Sequence, residues 1–242
     1  MLLELVTRVG LISDYLPPPT IVFGALLSGL VSGGITIQIG ATLVAFAEGL
    51  ALASVMAVLI GILMGTFRNF YDAVKIIVEL VRPVPAVALI PLAILLFGLG
   101  YGMRVSVITY SAFWPLLINT FYGVRSIDPI AIDTARNFGL SYPQILRRVT
   151  LPSALPSIAT GFRISAAIAL ILTITAELIA GDSGIGFYVA QMELANRLPE
   201  MYAGILLAGI LGYVLNLIFR SIERRLLFWN SSYRHQIGRE ES

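Results

Sequence analysis

Long apolar stretches alternate with short polar ones along most of this chain. A helix needs about 20 mostly apolar residues to cross the hydrocarbon core of a bilayer. Stretches that meet this requirement lie at residues 37–65, 74–99, 104–123, 157–180 and 201–222. The pattern therefore predicts an all-α integral membrane protein with five membrane-spanning helices.

The second of these stretches is irregular. Arg82, Pro83, Pro85 and Pro91 interrupt it, and a proline inside a helix removes a backbone hydrogen bond. We expect this span to be kinked or broken, which a membrane tolerates only where neighbouring protein or water satisfies the freed backbone groups. Ahead of the first span, residues 20–32 predict a shorter interfacial helix.

Composition supports a membrane location independently. The chain has 242 residues, of which 57% are hydrophobic and 12% charged, and its mean hydropathy is +0.88, whereas soluble domains are about 45–50% apolar. We predict one membrane domain over residues 1–242, with no room for a folded ATPase. The sequence contains no GxxxxGK[ST] phosphate-binding motif, so any energy source must be another chain. Without cysteine there is neither a disulfide framework nor a thiolate metal site.

A polar stretch with several arginines separates the third and fourth apolar segments. Asp128 followed by Pro129 is typical of a helix start, because the carboxylate can cap the helix and proline fits its first turn. Gly139 can end this helix. The pattern predicts a short helix and a glycine turn in water.

A second short helix is predicted after the glycine. Ser141 and Gln144 have the spacing of a capping box, so the helix should begin at Tyr142. We expect Leu151-Pro152 to break it. The two short helices together would form a docking element between two spans.

This stretch carries a spaced motif. Asp133-Thr134-Ala135 is followed after three residues by Gly139 and, after nine more, by Val149-Thr150-Leu151-Pro152. The spacing resembles the signature loop of bacterial ABC importer permeases, with Asp for Glu, Thr for Ala and Val for Ile. In that family the loop is the coupling helix, which sits in a groove of the ATP-binding subunit. The resemblance implies a cytoplasmic coupling loop at residues 124–156. The residues implied in coupling are Asp133, Thr134, Ala135, Phe138, Gly139, Leu140, Val149, Leu151 and Pro152.

Further segments resemble the nitrate, sulfonate and taurine group of these permeases. They include Glu79–Pro85, Thr160–Ile164 and Ala176–Ile179, and the likeness covers roughly residues 36–228. It implies a type I ABC importer permease fold, with five core transmembrane helices plus a shortened N-terminal helix. Within it, residues 1–35 form an N-terminal or interfacial segment and residues 223–242 a cytoplasmic tail.

Positive charge orients the chain, because Lys and Arg are retained on the cytoplasmic side of a membrane. Placing the coupling loop inside puts its four arginines in the cytoplasm and leaves only Arg104 and Arg197 in outer loops. The predicted location is the bacterial cytoplasmic (inner) membrane, crossed several times.

Polar residues inside the spans are candidates for a translocation path, because a charge at membrane depth is costly and faces protein or water. The position of Glu177 is equally consistent with lining the path and with bonding to a neighbouring helix. Glu48 is either specific to the substrate or a buried partner. Tyr110, Trp114 and Asn119 share one span and are possible wall groups.

The resemblance implies a transport subunit and not an enzyme. Two copies of the chain would line the path, each docked to one ATP-binding subunit, and an external solute-binding protein would deliver the solute. The chain itself would bind no cofactor, because ATP and Mg belong to the partner subunit. The lipid bilayer is a further expected partner and nucleic acid is not.

The expected cargo follows from the group that the chain resembles. That group imports small anions such as sulfonates, taurine, nitrate and bicarbonate. It also imports aromatic acids and pyrimidine or thiamine precursors, which are the alternative cargo.

Other classes fit the sequence less well. A secondary transporter often shows an internal repeat, and we find no convincing repeat between the halves. A membrane enzyme needs clustered acid-base or metal-binding residues, but the chain has one histidine and scattered carboxylates. Only Leu99–Gly102 would support an interpretation as an ion channel, and this segment is predicted as an outer turn.

Overall fold

The structure is a computed structural model that describes residue 4 and residues 15–228. Within these residues the chain is α-helical with short turns, and no strand occurs there. The all-α class predicted from the sequence is confirmed. In chain order the α-helices are α1 (Pro19–Val31), α2 (Gly34–Thr66), α3 (Arg68–Val81), α4 (Ile90–Phe97), α5 (Tyr101–Arg125), α6 (Pro129–Asn137), α7 (Tyr142–Ile145), α8 (Leu151–Ala180), α9 (Ile185–Leu194) and α10 (Leu198–Leu226).

Each predicted span falls on a helix or on a broken pair of helices. By length and composition, α2, the run that contains α8, and α10 can cross a membrane, and α3 with α4 passes only as an interrupted span. The interruption predicted in this second span is confirmed, because no helix runs through residues 82–85. Helix α5 has 25 residues, or about 37 Å of rise, which is enough for a core of about 30 Å.

Helix α9, the two ends of the chain and the turn before α5 differ from the prediction or fall outside the described residues. Helix α9 is not predicted, because its 10 residues are too few to give a spanning pattern. The predicted tail at residues 223–242 starts inside α10, and its residues 229–242 lie outside the described part, as do residues 1–3 and 5–14 of the N-terminal segment. The outer turn predicted at Leu99–Gly102 is present, but α5 already begins at Tyr101.

The described residues form two compact units. Unit A contains residues 15–50, Pro85–Ser111 and Ala169–Val214. One of its apolar clusters is built on Ile35 and Ile185, which are both 1% exposed. A second cluster contains Ile90, Ala93, Met103, Val107 and Ala176.

Unit B contains Ala51–Val84, Ala112–Ile168 and residues 215–228. Its core joins α2, α3 and α5 through Met64, Val78 and Leu117. The rings of Tyr71 and Phe121 stack at its edge, with centroids 5.0 Å apart. Unit B carries the whole predicted coupling loop.

Small residues let α2 approach α5 closely in unit B. A Cβ atom added at Gly61 would lie 2.7 Å from Cβ of Thr120, and one added at Gly65 would lie 2.6 Å from Cβ of Val124. Real Cβ atoms do not approach so closely. The GxxxG spacing therefore serves packing between helix backbones, as small residues do at helix contacts in membranes.

We expect Gly61→Ala to destabilise the protein. Overpacking a close contact costs about 1–3 kcal/mol, which for a chain of this size lowers the melting temperature by roughly 2–12 °C. Gly40→Ala is the matched control, because Gly40 lies on the same helix with no heavy atom within 4 Å of an added Cβ. Thermal unfolding of the detergent-solubilised protein measures both. Equal melting temperatures for the two variants would contradict the close packing of α2 on α5.

Candidate functional site

Helix α6 begins the polar part of the coupling loop. The Asp128 carboxylate accepts a hydrogen bond from the backbone N–H of Ile130 at 2.9 Å, and Pro129 occupies the first helical position. This cap satisfies a backbone donor that the first turn of a helix leaves unpaired. The helix start predicted at Asp128-Pro129 is confirmed.

A tight turn ends α6. The N–H of Gly139 bonds the carbonyl of Arg136 at 2.8 Å, and the N–H of Leu140 bonds the carbonyl of Ala135 at 3.1 Å. These two bonds form a Schellman motif, which requires a left-handed residue at its centre. Gly139 supplies it with φ of 76°, in open space with no heavy atom within 4 Å of an added Cβ. Only the backbone conformation therefore demands glycine here.

The second short helix starts as predicted and then continues. Gln144 Oε1 accepts from the backbone N–H of Ser141 at 2.7 Å, which confirms the capping box. The predicted break at Leu151-Pro152 is wrong. After α7 the chain forms a π-helix at Leu146–Thr150 and passes directly into α8. Pro152 thus lies inside a continuous helical run, where its ring nitrogen donates no hydrogen bond to the preceding turn.

The loop presents one exposed face. Ile130 and Phe138 are 71% and 79% exposed. Ile130 and Thr134 share one side of α6, and Phe138, the C-cap residue directly after α6, follows at the same spacing of four. Asp133 is exposed beside them and pairs with Arg136 at 3.1 Å. Two large apolar side chains thus stand on a polar loop with no covering residue among those described.

Other loop residues hold this face in place. Ala135, Ile145 and Thr150 are buried, at 6–7% exposure. The ring of Tyr142 lies 5.9 Å from that of Phe67, which connects α7 to the start of α3. Of the predicted coupling residues, Asp133, Thr134, Phe138, Gly139 and Pro152 are exposed, Leu140, Val149 and Leu151 are half-buried, and Ala135 is buried.

Glu177 lies in a separate, buried cluster in unit A. It is 1% exposed, and its Oε2 accepts from Thr42 Oγ1 at 2.9 Å and from the backbone N–H of Gly186 at 3.0 Å. Its Oε1 lies 3.5 Å from Nη1 of Arg104, whose side chain is 3% exposed. The structure therefore places Glu177 in a network that joins helices, with almost no surface of its own.

Arg104 also holds the turn after α8. It donates to the carbonyl of Ser183 at 2.9 Å and to Asp182 Oδ1 at 3.0 Å. The turn packs tightly on Glu177, because a Cβ added at Gly184 would collide with its carboxylate. Sequence reasoning treated Arg104 only as an outer-loop charge. The signal that could have found it is Glu177 itself, since a carboxylate at membrane depth needs a cation nearby.

The remaining path candidates lie on α2 and α5. Glu48 is exposed and hydrogen-bonds Tyr101. Tyr110, Trp114 and Asn119 are all half-buried on α5, and the Asn119 amide bonds the Pro115 carbonyl at 2.8 Å. Their place on a translocation path stays a prediction. Within residue 4 and residues 15–228, no group of three or more His, Cys, Asp or Glu could hold a metal ion.

Comparison with known proteins gives a consistent family. The family model described as "Binding-protein-dependent transport system inner membrane component" matches residues 57–228. The chain is 33% identical over 221 residues to the taurine transport system permease protein TauC of Escherichia coli K12, covering 89% of this chain and 80% of that protein. It is 30% identical over 231 residues to the putative aliphatic sulfonates transport permease protein SsuC of Bacillus subtilis 168, covering 95% and 84%.

Solved structures share the fold. An inward-facing MetNI methionine ABC transporter chain matches with a TM-score of 0.67 and 21% identity, covering 79% of this chain and 95% of that one. A chain of a bacterial ABC transporter involved in the import of alginate matches with a TM-score of 0.68 and 18% identity, covering 84% and 83%. At these identities the likeness concerns the fold alone.

We expect Glu177→Ala to destabilise the protein strongly. Removing this carboxylate should cost roughly 3 kcal/mol or more, because Arg104 loses one of its two carboxylate partners and the donors of Thr42 and Gly186 lose their acceptor. Glu48→Ala is the control, since this carboxylate is exposed and its loss should cost less than about 1 kcal/mol. Thermal unfolding in detergent checks both. If Glu177→Ala unfolds like the unchanged protein but transports poorly, Glu177 acts on the path and the structural assignment fails.

Proposed function

Because this chain belongs to the family of binding-protein-dependent transport system inner membrane components, we propose that its coupling loop docks a separate ATP-binding subunit. The chain is a multi-pass permease subunit of an ABC importer, a transport protein and not an enzyme. Ile130 and Phe138 supply the observation that supports docking. Two large, exposed apolar side chains on a short capped helix in water are typical of the anchors of a protein interface.

The loop is suited to transmit movement. Its caps and its Schellman turn satisfy backbone groups locally, and its buried residues tie it to unit B. The π-helix connects it to α8 without a break. A force applied at Phe138 would therefore move the start of a membrane-spanning helix as a rigid body instead of bending a flexible linker.

The proposed cycle follows from this connection. Two copies of the chain line the path, and ATP and Mg bind only the two partner subunits. ATP binding closes the partners, the loops carry this motion into the spanning helices, and the outer mouth opens to an external solute-binding protein. Hydrolysis and product release return the path to the inward-facing state. The permease itself makes and breaks no covalent bond.

The proposed cargo is a small anion, such as a sulfonate, taurine, nitrate or bicarbonate. The support comes from the names of similar proteins, which are permeases for taurine and aliphatic sulfonates. A further relative is the nitrate import permease protein NrtB of a Synechocystis strain, 30% identical over 190 residues, or 78% of this chain and 69% of that protein.

We expect Gly139→Val to uncouple ATP hydrolysis from uptake. At φ of 76° a β-branched residue costs roughly 1–3 kcal/mol, so the turn should open and displace Phe138. Gly139→Asn is the matched control, because asparagine tolerates the left-handed conformation and the surrounding space is open. Uptake and ATPase activity of the complete importer in liposomes measure the effect. Normal uptake by Gly139→Val would argue against this placement of the coupling element.

We expect the partner solute-binding protein to be stabilised by one class of small anion. A ligand that binds only the folded state raises stability by about 2.7 kcal/mol at 100 times its Kd. A thermal-shift screen would compare taurine, alkanesulfonates, nitrate and bicarbonate with aromatic carboxylates and pyrimidines. Stabilisation by the aromatic compounds alone would overturn the small-anion assignment and leave the importer assignment standing.

A further inference from the structure

An open cleft lies on the coupling loop between α7 and the π-helix. Pro143, Gln144, Arg147 and Arg148 line it, and its volume is about 560 Å³. Both arginines are exposed. Neither forms an ion pair or a side-chain hydrogen bond with any residue in the described part of the chain. The cleft therefore holds two positive charges that the chain itself does not neutralise.

Several arginines elsewhere in the described residues have carboxylate partners. Arg136 in the same loop pairs with Asp133 at 3.1 Å. Arg163 on α8 lies 3.4 Å from a Glu223 carboxylate oxygen. The loop therefore carries a neutralised arginine at Arg136 beside two cleft arginines whose charges are open to a partner.

Gln144 adds donors and no acceptor. Its Oε1 already accepts from the backbone N–H of Ser141 at 2.7 Å and from the Ser141 hydroxyl at 3.0 Å. Because a backbone N–H requires an oxygen, this bond fixes the orientation of the amide and leaves the NH₂ group for other partners. Arginine side chains have only donors as well. The polar lining of the cleft therefore selects an anionic acceptor.

Depth in the membrane decides between a lipid headgroup and a protein carboxylate. The apolar stretch of α8 begins at residue 157. Arg148 lies nine residues earlier, which corresponds to about 13 Å along a helix. The headgroup layer extends only about 5–7 Å beyond the hydrocarbon core on each side. The cleft therefore lies on the aqueous side of the headgroups, where a partner protein binds.

We propose that the cleft receives an aspartate or glutamate side chain of the ATP-binding subunit. The inference rests on the proposed docking function and names the chemistry of the partner at that site. Arginine presents a fork of donors that matches both oxygens of a carboxylate. Complementary charge across an interface fixes register and accelerates association. The cleft thus orients the partner subunit. The apolar face of α6 supplies the contact area.

The test is a titration of the complete permease in nanodiscs with the ATP-binding subunit. For the double variant Arg147→Gln with Arg148→Gln we expect affinity to fall by about tenfold or more, and its salt dependence to weaken. Arg136→Gln is the matched control, because its charge is already paired within the loop, and affinity should change less than about twofold. Unchanged affinity and salt dependence in the double variant would overturn the proposal.

Further variants separate the possible failures. Phe138→Ala tests docking itself, so a loss of affinity there without a loss in the arginine variant refutes only the carboxylate site. If neither variant loses affinity, the proposed docking function fails too. An arginine effect seen only with phosphatidylglycerol and absent in phosphatidylcholine nanodiscs would assign the cleft to lipid and overturn the proposal. Should the double variant unfold, the single variants Arg147→Gln and Arg148→Gln replace it. Each should lower affinity by about threefold, and unchanged affinity in both would overturn the proposal.

Discussion

A charge inside a membrane needs its partner within the protein, and the buried pair of Glu177 with Arg104 follows from this constraint. In unit A, Glu177 is held by a cation, a hydroxyl and a backbone N–H from separate segments. At the start of the predicted cytoplasmic tail, Glu223 is 4% exposed and lies 3.4 Å from Arg163, whose side chain is 37% exposed. Such pairs add little net stability over apolar packing. Their value is geometric, because losing one member is costly and helices that carry matched charges must therefore keep their register.

Helix contacts obey a related constraint. Lipid tails are as apolar as leucine, so helices in a membrane associate through close packing and not through exclusion of water. Gly61 and Gly65 bring α2 against α5, and Gly161 does the same for α8 against Asn119 of α5. Helices fixed by backbone contact have few intermediate arrangements. Transport by such a protein requires helices to move as bodies, which makes a stiff connection to the energy source necessary.

The sequence predicted the elements that depend on local chemistry. Asp128, Gly139 and the Ser141–Gln144 pair each act on their own few backbone groups, and the structure confirms their roles. The predictions failed where tertiary context decides. Pro152 allowed either a helix end or a helix start, and the π-helix that precedes it has no residue signature. The charge pattern predicts Arg104 only as an outer-loop charge, because no spacing along the chain shows that α5 brings it to Glu177.

In the proposed docking, the exposed face of α6 and the arginine cleft have different roles. Apolar anchors such as Phe138 contribute affinity when they leave water, but such contacts tolerate small rotations of the partner. Guanidinium groups paired with a carboxylate do not tolerate such rotations, because their hydrogen bonds are directional. An interface built from anchors alone would let a partner slide during ATP-driven closure, and part of the motion would be lost. In the proposed interface, the two arginines beside Phe138 would hold the partner in one orientation, so that its movement reaches α8.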